Sequence, residues 1–198
     1  MAVSTELIKD LRHCSGAGIL DCKQALTETD GNLEKAIEFL RKKGLALAAK
    51  KKGRATSEGC IGGYIHQGGK IGVMVEVNCE THFVAKTDEF QTLAKDIAMH
   101  IAAADPQYKN REDVPQEVID REKEIFNLQA KKAGKPEKII DQIVEGKMEK
   151  FFSEVCLLEQ SFIKDTDQTI KDILAKAVVK LGENMTIRRF VRYQLGQD

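Results

Sequence analysis

Ile71, Gly72, Val73, Met74, Val75, Glu76, Val77, Asn78 and Cys79 alternate with a period of two, setting Ile71, Val73, Val75, Val77 and Cys79 on one face. Successive side chains of an extended chain point to opposite sides, so this pattern predicts a strand with one face in a core. Gly68 and Gly69 stand just before it. Paired glycines supply the positive φ angles of a tight turn, so residues 61–67 and this strand read as a hairpin.

Beyond the strand the period becomes helical. Asp88 reads as the cap of a helix with Phe90, Leu93, Ala94, Ile97, Ala98 and Ile101 on one stripe, ended by Asp105 and Pro106. Pro115 and Pro136 each suit a first helical position. They introduce apolar sets around Val118, Ile125 and Leu128, and then Ile139, Ile140, Ile143 and Val144, which predicts a helical hairpin broken at Gly134. Thr169 with Asp172 resembles a capping box before the stripe Ile170, Ile173, Leu174, Ala177, Val178 and Leu181, with Gly182 and Asn184 ending the helix. Residues 185–195, rich in β-branched and aromatic side chains, read as a further strand pairing with the hairpin. Residues 53–198 thus form an α+β core, a small antiparallel sheet packed with helices and a helical hairpin.

Before the sheet, residues 4–44 carry three short apolar patterns: Leu7, Ile8 and Leu11; Ile19, Cys22, Ala25 and Leu26; and Leu33, Ala36, Ile37 and Leu40. Thr29, Asp30 and Gly31 break the second, Asn32 caps the third, and Gly44 is expected to stop it. This predicts a compact three-helix bundle. From Leu45 the apolar face gives way to alanines and to Lys50, Lys51, Lys52, Gly53 and Arg54, which read as a basic linker, so residues 1–52 form the first domain.

The chain of 198 residues balances 31 Lys and Arg against 31 Asp and Glu, so no global field draws it to nucleic acid or an anionic membrane. Its first ten residues mix charges without an apolar core, and the five cysteines form no C-x-x-C pair. Both point to the cytoplasm. His13, His66, His82 and His100 lack metal-ligand spacing. Gly16, Ala17 and Gly18 meet Asp21 where a dinucleotide loop needs a third glycine, and Gly69 with Lys70 lacks the remainder of a phosphate loop. No enzyme chemistry, metal or cofactor is expected.

Two motifs carry a family resemblance. Ser15, Gly16, Ala17, Gly18, Ile19, Leu20, Asp21, Cys22, Lys23, Gln24, Ala25 and Leu26, followed by Glu76, Val77, Asn78, Cys79, Glu80, Thr81, His82, Phe83, Val84, Ala85 and Lys86, resemble in order and spacing the bacterial elongation factor Ts family. Further matches lie at residues 97–102, 144–148 and 192–196, so the likeness covers nearly the whole chain. It resembles the short, single-core form.

The resemblance implies a guanine nucleotide exchange factor. It would bind elongation factor Tu, disturb the Mg²⁺ and phosphate sites that hold GDP, and pair into a homodimer. It also implies that Phe83 is the wedge entering the partner, with His82 beside it and Thr81 and Val84 shaping the turn. His82 departs from the aspartate usual in the family. Ile19 and Leu20, in place of a methionine pair, and His66 near the hairpin tip are the other implied contacts. Composition leaves alternatives open: Phe83 as core, one of Ile19 and Leu20 as bundle core, and His66 as an idle turn residue. Residues 31–40 also resemble the third helix of ubiquitin-associated domains, so the runner-up is an adapter without exchange activity.

Overall fold

Three helices open the chain in the computed structural model, which describes residues 3–197: α1 (Thr5–Ser15), α2 (Ile19–Glu28) and α3 (Leu33–Lys51). The Ser4 hydroxyl accepts from the Leu7 amide at 3.2 Å and the Asn32 side chain from the Lys35 amide at 3.0 Å, so α1 and α3 start where capping residues stand. Leu11, Cys22, Ala25, Leu26 and Ala36 are fully buried between them, with Leu7, Ile8, Leu33, Phe39 and Leu40 packed around.

Gly44 does not stop α3, which runs on through the expected linker to Lys51. A mid-helix glycine costs about 1 kcal/mol relative to alanine, but Leu45 to Ala49 are strong helix formers. A Cβ placed on Gly44 would lie 3.6 Å from Val179, an ordinary van der Waals contact.

The sheet follows. β1 (Glu58–Ile65) and β2 (Ile71–Cys79) form the expected hairpin, closed by the His66 amide donating to the Ile71 carbonyl at 2.9 Å. Gly68 and Gly69 take φ of 90° and 69° in the turn, which L side chains adopt only with strain. A one-turn helix, α4 (His82–Ala85), leads into α5 (Asp88–Ala104). Thr87, not Asp88, caps α5, its hydroxyl accepting from the Phe90 amide at 3.3 Å. The helical hairpin is α6 (Gln116–Lys132) and α7 (Glu137–Val155), each preceded by its proline one position earlier than expected. Two short strands absent from the sequence reading, β3 (Ser161–Phe162) and β4 (Asp165–Thr169), pair antiparallel before α8 (Ile170–Leu181) and β5 (Met185–Gln194). The main sheet has the order β1-β2-β5, so the last strand pairs with the hairpin as its composition suggested.

The residues group into two units. The first comprises Met1–Gly63, Met74–Asp96 and Asp172–Phe190. Val75, Val77, Cys79, Phe90 and Ala94 are buried there, and β1 approaches α5 so closely that a Cβ on Gly62 would meet the Ala94 carbonyl at 2.9 Å. Arg41 of α3 forks onto the buried carboxylate of Asp172 in α8, with distances of 3.1 and 2.5 Å.

The second unit comprises Tyr64–Val73, Ile97–Lys171 and Val191–Asp198. Gln160 joins the ends of α5 and α7 by donating to the carbonyls of Ala104 and Glu154, and its oxygen receives Nε2 of the fully buried His100 at 3.0 Å. Arg111 binds both Glu149 and Glu159 and lies 4.7 Å over the Phe152 ring, a fixed ionic corner beside α7. Among the described residues no helix is long and apolar enough to cross a membrane.

Candidate functional site

β2 ends at the buried Cys79, and the short, heavily bonded turn that follows brings the chain to the surface. Thr81 is the N-cap of α4: its hydroxyl accepts from the Val84 amide at 3.4 Å and its carbonyl from the Ala85 amide at 3.2 Å. Ala85 is buried and Val84 half-buried, so one side of the turn is held down. Gln91 of α5 donates to the Ala85 carbonyl at 2.6 Å, and the Thr87 hydroxyl to the Val84 carbonyl at 2.8 Å, fixing the far end.

The opposite side of this turn presents His82 and Phe83. Phe83 is 76% exposed, and its ring lies 4.5 Å from that of His82, centroid to centroid, at a 40° tilt. Such exposure removes the alternative that Phe83 belongs to the chain's own core. An aromatic ring normally gains about 1.5–3 kcal/mol by leaving water. Here the local backbone is bonded so as to keep it there.

Ile19 and Leu20 are both outside as well, at 56% and 82% exposure. The open alternative that one of them fills the bundle does not hold: Cys22, Ala25 and Leu26 take the inward positions of α2. His66 is exposed at the β1–β2 turn, with Nδ1 3.2 Å from the Tyr64 hydroxyl. The structure thus gathers Thr81, His82, Phe83 and Val84 on one turn, while Ile19 and Leu20 share another segment and His66 a third.

One residue of this region escaped the sequence reading. Glu183, just after α8, accepts from the Glu80 amide at 3.1 Å, the Thr81 amide at 2.9 Å and the Thr81 hydroxyl at 2.6 Å. In return Glu80 accepts from the Asn184 amide at 2.6 Å and from Arg54 at 3.4 Å. No local pattern could reveal bonds spanning about a hundred residues.

Among the described residues no group of three or more His, Cys, Asp or Glu could hold a metal ion. Burial pushes the thiols of Cys79 and Cys156 up to about 11, which keeps them protonated and poorly nucleophilic. A shallow groove of about 450 Å³ beside β1 is lined by Ile61, Gly62, Gly63, Asp88, Gln91, Thr92 and Lys95 and holds neither histidine nor cysteine.

The chain matches the family described as elongation factor TS over residues 34–197. It is 57% identical over 197 residues to elongation factor Ts of Geobacter sulfurreducens, covering 100% of this chain and 91% of that one. It is 60% identical over 195 residues to the elongation factor Ts proteins of Carboxydothermus hydrogenoformans and Syntrophomonas wolfei, covering 98% of this chain and 90% and 91% of theirs. Identity at this level along the full length, with the two motifs at one end of α2 and on the turn after β2, means that the chain belongs to the elongation factor Ts family.

Proposed function

We propose that the chain is the guanine nucleotide exchange factor of elongation factor Tu, releasing GDP so that GTP can bind. Family membership makes it a translation elongation factor. The exchange reading is carried by one observation: Phe83, in the family's motif, stands exposed on a turn whose backbone is bonded on both sides.

In this reading Thr81, His82, Phe83 and Val84 enter the G domain of the partner and disturb the surroundings of its Mg²⁺. That ion tolerates little departure from octahedral geometry, so a small displacement weakens the nucleotide's hold. Factor and nucleotide then weaken each other's binding by the same ratio, a negative coupling through their shared partner. No covalent step is involved, and no cofactor of the chain's own is required. Ile19 and Leu20 extend the contact from the bundle, and His66 adds one from the hairpin turn.

The test is release of a fluorescent GDP from elongation factor Tu, timed with and without this protein. Strong acceleration is expected; an unchanged rate rejects exchange and leaves the adapter reading, for which ubiquitin capture is the discriminating assay. Residues 1–52 act as the partner-binding module and residues 53–198 as core and dimerisation domain in the cytoplasm, without nucleic acid or membrane contact. Removing residues 1–52 should weaken partner binding and slow exchange in the same assay. It also removes Arg41 from Asp172, so core stability should be measured alongside. Ile61 of β1 and Met74 of β2, both in the first unit, are large exposed side chains on the sheet, which supports a homodimer formed there. Light scattering at micromolar concentration should give twice the chain mass of 22.1 kDa, and the single-chain mass would reject the dimer.

A further inference from the structure

We propose that Glu183 is a positioning residue for exchange, holding the turn that carries Phe83 in the single orientation in which it can enter the partner. The proposal rests on the exchange reading and adds a residue to it. α4 has only four residues, and so short a helix cannot sustain itself, because fixing the first turn costs more than its bonds return. Its direction must come from outside.

Glu183 supplies it. One carboxylate oxygen takes the two successive amides of Glu80 and Thr81 at 3.1 and 2.9 Å, which fixes the peptide plane just before α4. The other takes the Thr81 hydroxyl hydrogen at 2.6 Å. With that hydrogen committed, a lone pair of the same oxygen faces the Val84 amide and caps α4. Bonds to an ionised acceptor are about twice as strong as neutral ones, so one half-buried side chain governs both the start of the turn and its cap.

The return bonds make the arrangement stiff. Glu80 accepts from the Asn184 amide, and Asn184 donates to the Arg54 carbonyl at 2.9 Å, so three segments distant in sequence meet at the base of the turn. A ring held in place loses little freedom on docking, and orientation secured in advance is realised as rate.

The experiment compares wild type, Glu183→Ala, Glu183→Gln, Phe83→Ala and the Glu183→Ala/Phe83→Ala double variant in stopped-flow GDP release from elongation factor Tu, across a concentration series. Glu183→Ala should lower the maximal release rate about tenfold, with a smaller change in the concentration giving half of it. Glu183→Gln keeps an oxygen for the two amides but not the charge and should fall between; it carries the test if the alanine variant fails to fold. In the Phe83→Ala background the loss of Glu183 should add much less than it does alone, because the main ring that the turn orients is gone. A merely structural role predicts instead that both losses multiply. A maximal rate equal to wild type, or a full further loss in the double variant, overturns the proposal while exchange itself stands. Wild-type protein without effect on GDP release removes both.

Discussion

Phe83 and Phe90 lie seven residues apart in the same unit and share a side chain, yet one is 76% exposed and the other fully buried. Phe90 sits on the inward stripe of α5, a helix of 17 residues whose capped start and apolar periodicity decide its rotation. Phe83 sits on one turn of helix that has no apolar stripe and is oriented by polar bonds to Thr81, Gln91 and Glu183. Burial in this region therefore follows from how long an element is and what fixes it, not from how apolar the residue is. The ring that fills the core and the ring left in solvent are told apart by their backbones.

The contrast breaks most readily at Phe90. Phe90→Ala should cost about 3–5 kcal/mol of stability in denaturant unfolding, since the cavity lies in a packed core. A loss under about 1 kcal/mol would mean the core repacks easily and the comparison with Phe83 loses its force. Phe83→Ala should leave the melting temperature nearly unchanged and slow GDP release from elongation factor Tu at least roughly tenfold, a central aromatic anchor being worth about 2 kcal/mol or more. Full exchange activity in that variant sinks the wedge.

The same division separates the histidines. Burial lowers the pKa of His100, with the Gln160 bond opposing, so the folded chain refuses a proton that the unfolded chain accepts. Stability is then unaffected above the unfolded value of about 6.5 and falls as the pH drops below it, by at most about 1.4 kcal/mol per pH unit, until the folded pKa is passed. His100→Gln should flatten that part of a urea-stability profile, and an unchanged slope would place the acid sensitivity elsewhere. At the exposed position the expected effect is smallest: His82→Asp, restoring the common family residue, should keep or modestly raise exchange. A large loss there would mark histidine as a specific adaptation to this partner.

Much of the fold was legible because its signals are local. The alternation from Ile71 to Cys79, the stripe from Phe90 to Ile101 and the proline-led hairpin each carry their own period. The failures have tertiary causes. Gly44 reads as a stop, but α3 is carried past it by the leucines and alanines from Leu45 to Ala49. β3 and β4 are too short and polar to alternate, and only their pairing, Ser161 with Thr169 and Phe162 with Asp165, defines them. Thr81 to Val84 stood out as a candidate site through the motif alone, and only the exposure of Phe83 was added by the structure, since composition assigns an aromatic to the core. Glu183 was invisible, its bonds reaching back to Glu80 and Thr81.

The order β1-β2-β5 also bears on how the chain emerges from the ribosome. β1 and β2 are made early, but the strand that covers the other side of β2 begins only at Met185, after the three long helices α5, α6 and α7, a small hairpin and α8 have been synthesised. Throughout that interval β2 is a bare edge beside apolar residues, the kind of surface on which nascent chains stick to one another. Asp172 and Glu183 arrive in the same late segment. A messenger cut short before residue 183 would therefore yield a chain with its bundle made, its sheet open and its Phe83 turn unanchored, a natural substrate for chaperones and proteases.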